Sequence, residues 1–317
     1  MEIFESFSKR PDIKVELNKD LTKYSTLQLK SQGDLISVFS EDALSKVIKT
    51  LYAFNVKYCV LGKGSNILLR EKSKIPYIKL AFTENIKDFY KINDEYILPA
   101  STPLNKMTAH AIKFGLKGWE VFTGIPASLG GAIFMNAGTN LGEIGSIVNW
   151  VNILNKKGNK KKIIVNKSSF SYRKNKFLSS GDVIIEASLK HFGIDETLGD
   201  KIKSYIETRN NTQPLDKKTC GCTFKNMITT NKENGMEITC RAGEYMDIMG
   251  LKGFRYKNLK ISSLHANFIE NEGGATYSDF IEFIKIINEK IEKKHGFFFA
   301  SLTLSLPTGF MLKQTWI

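Results

Sequence analysis

Cysteine is scarce in this chain. Cys59, Cys220, Cys222 and Cys240 are the whole supply in 317 residues. That is too few for a disulfide framework at this length, and a reducing cytoplasm is the expected setting. Long apolar runs are missing as well. No stretch reaches the ~18 apolar residues of a membrane span, and the longest, GFFFASLTLSL, reads as strand. The opening residues MEIFESFSKRPDIKVELNKD carry charge throughout and no apolar h-region, so no secretory signal is expected. Zinc-finger, helix-turn-helix and RNP patterns are absent, and so are repeats and low-complexity linkers. Acidic residues are the minority, 32 against 46 Lys and Arg, for a formal charge of +14. A basic balance suits nucleic acid, a membrane surface or phosphate-bearing small molecules, and equally suits simple drift toward lysine. The one dense run, KKGNKKKIIVNK (156–167), has Gly158 at a turn between strand-like stretches. It reads as a solvated hairpin tip, and neither nucleic acid nor membrane is expected as a partner.

What is present is a globular composition, 42% hydrophobic and 25% charged, with room for about two or three domains. Residues 42–56 carry apolar positions at helical spacing, with Asp42 as a cap, and KYCVLG (57–62) follows as a short buried strand. IPYIKLAF and EYILPAS read as strands, LNKMTAHAIKFGL (104–116) as a helix, and VNWVNIL, KKIIV and DVIIEASLK as strands. A helix DKIKSYIETRNN leads into QPLDKKTCGCTFKN. The last third has a helix after Ala242, a long helix at 277–294 and a closing strand at 297–306.

Two glycine-rich stretches stand out. LGKGSN (61–66) leaves a strand at Leu61 and turns tightly. Gly62 and Gly64 permit positive φ and close backbone approach, and Ser65 and Asn66 add donors for a phosphate. It is no Rossmann fingerprint, since Ile67 stands where the third glycine belongs, and no Walker A loop. GIPASLGGAIFMNAG (124–138) gathers Gly124, Ile125, Pro126, Gly130 and Gly131, then Asn136, Ala137 and Gly138. Such a backbone can lie flat on a large planar ligand, or form a packed loop between layers. Two such loops, each after a strand, favour a dinucleotide such as FAD.

These stretches, with FSYRKNKF (170–177), QPLDKKTCGCTFKN (213–226), AGEYMDIMGLKGFR (242–255) and SSLHANFIENEGGAT (262–276), occur in the order found in the UDP-N-acetylenolpyruvoylglucosamine reductase (MurB) family, which the chain closely resembles over nearly its whole length. The resemblance implies an α+β protein with a two-part FAD-binding domain of the p-cresol methylhydroxylase type and a smaller C-terminal α+β substrate domain. The expected boundaries are 1–200 for the FAD domain (subdomains about 1–82 and 83–200), 201–300 for the substrate domain and 301–317 for a C-terminal strand and tail. It further implies NADPH as electron donor, a UDP-sugar enolpyruvate as substrate and a cytoplasmic monomer. The role would lie in peptidoglycan precursor synthesis, hence cell-wall biogenesis, cell shape and division. The path after Tyr172 resembles the shorter family subtype.

Carried over by position, Arg173 in SYRKNKF matches the family's active-site arginine, a permanent cation suited to bidentate carboxylate binding. Tyr172, Gln213, Lys225, Asn226, His265 and Asn267 are expected at the substrate. Arg209 contacts the nucleotide or fixes a loop. Leu61, Gly62, Gly64, Ser65, Asn66, Gly124, Ile125, Pro126, Gly130, Gly131, Asn136, Ala137 and Gly138 are expected at the cofactor. The family's proton-donating serine, in a Gly-Ser-x-Phe-Lys pattern, falls on Cys222 of Gly221-Cys222-Thr223-Phe224-Lys225. A thiol with a reference pKa of about 8.5 releases a proton more readily than an alcohol. Cys220 reads as packing. Cys-x-Cys alone supplies two ligands and no third, so no metal is expected.

Three departures matter. The family's C-terminal catalytic glutamate aligns with Leu302, and no Asp or Glu occurs after Glu292. Glu270 and Glu272, near His265 and Asn267, are the candidate carboxylates to substitute for it. The family's Thr-x-x-x-Gly-Gly turn keeps Thr26 but has Lys30-Ser31 for the glycines, and GIPA replaces GIPG. An active reductase and a flavin- and nucleotide-sugar-binding homologue with lost or altered activity both remain open at this level.

Overall fold

The computed structural model describes residues 2–82, 91–92, 95–230, 237–297, 299–301 and 304–305. The chain divides into two compact units: residues 1–19, 33–63 and 74–211 form one, and 20–32, 64–73 and 212–317 the other.

The first unit holds two sheets. In one, the strands run in the order Ile13–Asp20, Gln32–Val38, Tyr77–Leu80, Cys59–Leu61, the last three parallel, with Leu35 and Cys59 both opposite Tyr77. The helix Glu41–Ala53 covers it. Ser40 caps that helix by accepting from the Ala43 N–H at 3.0 Å, and Glu41 and Asp42 set negative charge in its first turn. Its buried stripe, Ala43, Leu44, Val47, Ile48 and Leu51, packs with Phe7, Ile36, Val38 and Ile78. Each fully buried Leu, Val or Ile of this kind contributes about 1.5–3 kcal/mol.

The second sheet is antiparallel, ordered Lys160–Ile164, Val148–Leu154, Val183–Leu189, Glu95–Pro99, Lys91–Ile92. Its central strand Val183–Leu189 is apolar almost throughout because both faces are covered. Ile184, Ala187 and Leu189 enter a core with Met107, Trp119, Phe122 and Ile133, while Val183 and Ile185 enter the core under Glu41–Ala53. One strand therefore serves both cores of the unit. The 156–162 lysine run is the expected hairpin tip: Asn155 Oδ1 accepts from the N–H groups of Lys157 and Asn159, and Gly158 turns at φ 75°. The lysines it carries are exposed on an edge strand, where they discourage strand addition.

The second unit is built round the helix Tyr277–His295, opened by a Thr276/Asp279 capping box and closed by Gly296 at φ 74°. Phe280, Phe283, Ile287 and Ile291 pack with Leu259, Ile261 and Ile269 of the sheet Arg255–Tyr256, Leu259–Ile261, Ile269–Asn271. Leu27, Leu29 and Leu68 complete that core from early in the chain. Asn271 secures the first of these segments by donating to the Leu27 and Gln28 carbonyls, both at 2.9 Å. The closing strand is shorter than expected among the described residues. Leu304–Ser305 pairs in parallel with Ile67–Leu68, and Ser301 forms an isolated antiparallel bridge with Phe224.

Candidate active site

In the first unit the two glycine-rich stretches meet. Buried Leu61 ends its strand, and a Cβ on Gly62 would come 3.0 Å from Ser128 Oγ. Gly124 has φ 71°, and a Cβ there would fall 2.0 Å from Arg209 Nη1. Arg209, on the helix Leu198–Thr212, donates to the Thr123 carbonyl at 3.4 Å and to the Gly124 carbonyl at short range. It fixes the entry to Ile125 and Pro126. The Gly130 N–H donates to the Ala100 carbonyl at 2.8 Å, and a Cβ on Gly130 would sit 2.7 Å from Ala100 Cβ. Glycine is thus what lets the short helix Leu129–Phe134 start flush against Ala100. Gly131 lies beside Ser128 in the same turn. Thr102 and Thr123 are fully buried, and their hydroxyls have no hydrogen-bond partner among the described residues. Ala127 lies outside the left-handed region, so alanine in GIPA carries no backbone strain.

Beyond that helix stands Asn136, 1% exposed and at φ 46°. Ala137 is held by its N–H to the Ala132 carbonyl at 2.8 Å and leads into a small hairpin, Gly138–Thr139 with Gly142–Glu143. Tyr172 and Arg173 form the two-residue turn of a second hairpin, in which Ser171 pairs with Lys174. Arg173 sits at φ 56°, its Nη2 donates to the Gly138 carbonyl at 2.7 Å, and its guanidinium lies 5.4 Å from the Tyr172 ring. Its Nε is buried with no partner among the described residues. A fixed cation with an unspent donor is what a carboxylate ligand needs.

The second unit holds the rest. Gly64 turns at φ 71°, and a Cβ on it would fall 2.0 Å from the Tyr24 carbonyl oxygen. The Gly64 carbonyl accepts from the N–H of Thr26 at 3.0 Å, while Ser65 and Asn66 continue the turn half-buried. Lys30 and Ser31 have no positive φ, and Ser31 donates to the Arg70 carbonyl at 2.7 Å. The backbone there has no need of glycine.

Cys222 is half-buried on an extended segment that bridges antiparallel to Phe268. The Thr223 N–H donates to the Asn267 carbonyl at 2.7 Å, and the Lys225 N–H to the Ala300 carbonyl at 2.8 Å. Asn267 is 3% exposed, with its amide committed to the backbone: Oδ1 accepts from the Phe224 N–H at 2.8 Å and Nδ2 donates to the Phe224 carbonyl at 2.9 Å. Asn226 Oδ1 accepts from the N–H of Ala242, the first residue of the helix Ala242–Ile248, at 3.1 Å. Gln213 is half-buried, and its carbonyl accepts from the Leu215 N–H at 2.9 Å. His265 accepts the Asn267 N–H on Nδ1 at 3.2 Å, and burial lowers its pKa. It is therefore neutral near pH 7, with its proton on Nε2. Cys220 is buried in the core beside Phe224 and Ala242. No group of three or more His, Cys, Asp or Glu is placed to hold a metal among the described residues.

Leu302 lies outside the described residues, immediately after Ser301. The two carboxylates expected to substitute for a glutamate there are engaged elsewhere. Glu270, 6% exposed, pairs with Lys260 at 3.3 Å, and Glu272 pairs with Arg255 and with Lys260, the latter at 3.9 Å. Sequence reasoning overlooked Glu143, Thr102 and Thr123. Nothing but proximity to a glycine-rich loop marks the two threonines. Glu143 lies in TNLGEIG (139–145), directly after the second glycine-rich stretch, and had a signal of its own, the one charged residue there.

Comparison with known proteins bears on the domains and the family. Residues 35–163 match the family described as FAD binding domain, and residues 213–300 match the UDP-N-acetylenolpyruvoylglucosamine reductase, C-terminal domain. The chain is 31% identical over 289 residues to the UDP-N-acetylenolpyruvoylglucosamine reductase of Chloroherpeton thalassium, covering 89% of this chain and 90% of that one. It is 29% identical over 285 residues to the corresponding protein of Halalkalibacterium halodurans, with 89% and 90% covered. The crystal structure of the Thermus caldophilus UDP-N-acetylenolpyruvylglucosamine reductase (MurB) superposes with a TM-score of 0.75 at 28% identity, covering 93% of this chain and 99% of that one. The glycines at 62, 124 and 130 let these loops pack against Ser128, Arg209 and Ala100, and the buried hydroxyls of Thr102 and Thr123 stay without a partner among the described residues. The class is therefore a FAD-dependent oxidoreductase, in which a mixed α and β flavin-binding domain is joined to a C-terminal domain of its own type. Within that class, the chain belongs to the UDP-N-acetylenolpyruvoylglucosamine reductase family. Among the described residues, no helix is long and apolar enough to cross a membrane.

Proposed function

We propose that this protein catalyses the FAD-dependent, NADPH-driven reduction of UDP-N-acetylglucosamine enolpyruvate to UDP-N-acetylmuramate, the step of peptidoglycan precursor synthesis that forms the lactyl ether. The observation that carries the reading is the Arg173 turn, a charged side chain with a buried, unspent Nε. FAD, when bound, supplies the hydride that the vinyl carbon receives. Arg173 pairs with the substrate carboxylate and stabilises the negative charge that spreads from the α-carbon onto it, the largest contribution expected for such a step. Cys222 gives its Sγ proton to the α-carbon, completing the addition across the double bond. Lys225 and Gln213 bind the nucleotide diphosphate, and Tyr172 and His265 line the sugar. Asn267 and Asn226 support this set through the backbone at Phe224 and Ala242.

A second reading is favoured by one observation, Leu302 at the family's glutamate position, with Glu270 and Glu272 committed to cations. In it, flavin and nucleotide sugar bind while proton delivery is lost or altered. One experiment separates the two. The purified protein is reduced anaerobically with NADPH, then with NADH in a parallel sample, and mixed with the enolpyruvyl nucleotide sugar. Bleaching followed by reoxidation, with the lactyl product formed, supports the reductase. Bleaching without reoxidation selects the second reading, and a faster reaction with NADH overturns the assignment of the donor.

A further inference from the structure

Arg173 occupies a backbone region that a non-glycine residue enters at a cost of about 1–3 kcal/mol, and such a turn persists only where its surroundings hold it. The supports are visible. Asn136 Nδ2 donates to the carbonyl of Ser171, the residue entering the turn, at 3.1 Å. Asn175 Nδ2, just after the turn, donates to the Phe134 carbonyl at 2.6 Å. Asn136 does more than this. The same Nδ2 donates to Glu143 Oε2 at 2.6 Å, and Oδ1 accepts from the Gly145 N–H at 3.0 Å. Both its position in the chain, at φ 46°, and its 1% exposure leave its amide little freedom. A Cβ on Gly138 would lie 2.9 Å from Glu143 Cγ and 3.2 Å from Arg173 Nη1, so the acid's stem and the guanidinium share the space that this glycine leaves open. Despite that closeness, Glu143 and Arg173 form no ion pair among the described residues; the carboxylate is engaged by Asn136.

We propose that Asn136 and Glu143 act as positioning residues for Arg173: Asn136 braces the turn that carries the arginine and draws the Glu143 carboxylate away from it, leaving the guanidinium for the substrate. The inference rests on the reading of Arg173 as the substrate clamp. It assigns Asn136, whose family motif points to the cofactor, a task carried out on the protein itself. Glu143 fixes which way the Asn136 amide faces, because the carboxylate can only accept.

The test uses the flavin-loaded protein and four variants: Asn136→Asp, Glu143→Ala, Asn136→Asp with Glu143→Gln, and Arg173→Ala. Asn136→Asp places two carboxylates in contact and removes the donor to Ser171. Reoxidation of the reduced protein by the enolpyruvyl nucleotide sugar should slow ~10²-fold, the scale of a misplaced catalytic group. Flavin content, visible spectrum and the rate of reduction by NADPH should stay unchanged. Its melting temperature, relative to the unaltered protein, should fall as pH rises above ~4, because the facing carboxylates have folded pKa values raised above the unfolded ones. Adding Glu143→Gln should weaken that pH dependence, leaving the part due to burial of the new carboxyl at position 136, and recover part of the reoxidation rate. Glu143→Ala, at a half-exposed site, tests the same link where Asn136→Asp does not fold, with reoxidation slowed about tenfold, as expected for one lost hydrogen bond. Loss of flavin in step with loss of activity would make Asn136 a cofactor ligand and overturn the proposal. So would an unchanged reoxidation rate in Glu143→Ala. If Arg173→Ala itself reoxidises normally, the failure belongs to the clamp reading; if it alone is impaired, the failure belongs to the brace.

Discussion

Arg173 and Cys222, one in each compact unit, are held by opposite means. Arg173 stands on a left-handed turn whose shape depends on side chains, with Asn136 donating to the Ser171 carbonyl at its entry and Asn175, at its exit, donating to the Phe134 carbonyl. Cys222 lies on an extended segment held mainly by backbone pairing, with Phe268 on one side and the Phe224–Ser301 bridge following on the other. A turn of the first kind constrains the identity of every residue that braces it. A ladder of the second kind constrains only the path of the chain, so a thiol can stand where the family resemblance leads one to expect a serine, without moving the backbone. The departure from the family pattern at Cys222 falls on the ladder side.

The sharpest way to break this contrast is at Cys222 itself. Cys222→Ala should leave NADPH-driven bleaching intact and lower product formation by ~10²-fold or more, the usual worth of a positioned acid, while Cys222→Ser should retain turnover. Unchanged product formation in the alanine variant would remove the thiol from the mechanism. The next largest effect is expected at Asn267, whose amide holds both the N–H and the carbonyl of Phe224 in the ladder. Asn267→Ala leaves the buried N–H and carbonyl of Phe224 without their partners, at about 1–3 kcal/mol for each orphaned group. A lower melting temperature and slower protonation should appear together, and a stability loss with unaltered kinetics would show that the ladder holds Cys222 unaided. The smallest effect is a control in the other unit. His110, packed among Tyr96, Phe114 and Trp119, has its pKa pushed down to about 4, by burial first and by Lys113 second. The unfolded chain takes up this proton at higher pH than the folded one, so stability falls as pH drops from ~6.5 toward ~4. His110→Phe should flatten the melting-temperature profile in that window and leave both half-reactions unchanged; a profile of unchanged slope would exclude His110 as its source.

Much of this architecture is legible in the residues. The stripe of Ala43, Leu44, Val47, Ile48 and Leu51 has a single helical reading, and Gly158 within a lysine run has a single turn reading. Family motifs bring both glycine loops and the Gly-Cys-Thr-Phe-Lys segment to notice. The strained turn is hidden because Ser-Tyr-Arg-Lys contains no glycine to announce a positive φ; the support comes from Asn136, far away in sequence. The commitment of Asn267 to the Phe224 backbone is hidden for the same reason, since an asparagine that binds a ligand and one that imitates a strand are spelled alike. Local pattern reports local geometry, and these two features are set by partners across the fold.

The second unit draws Leu27, Leu29 and Leu68 into a core whose other members begin at Cys220. During synthesis, those three leucines leave the ribosome long before the side chains that will cover them. The first unit can gather its sheets while 20–32 and 64–73 wait as loops that carry Leu27, Leu29 and Leu68, and the core of the second is complete only when the helix Tyr277–His295 emerges. A C-terminal fragment starting at residue 212 would lack part of its own interior however well its remaining sequence is suited to fold. The order of translation is thereby written into the fold as a waiting period, in which Leu27, Leu29 and Leu68 lack the side chains that cover them in the finished core.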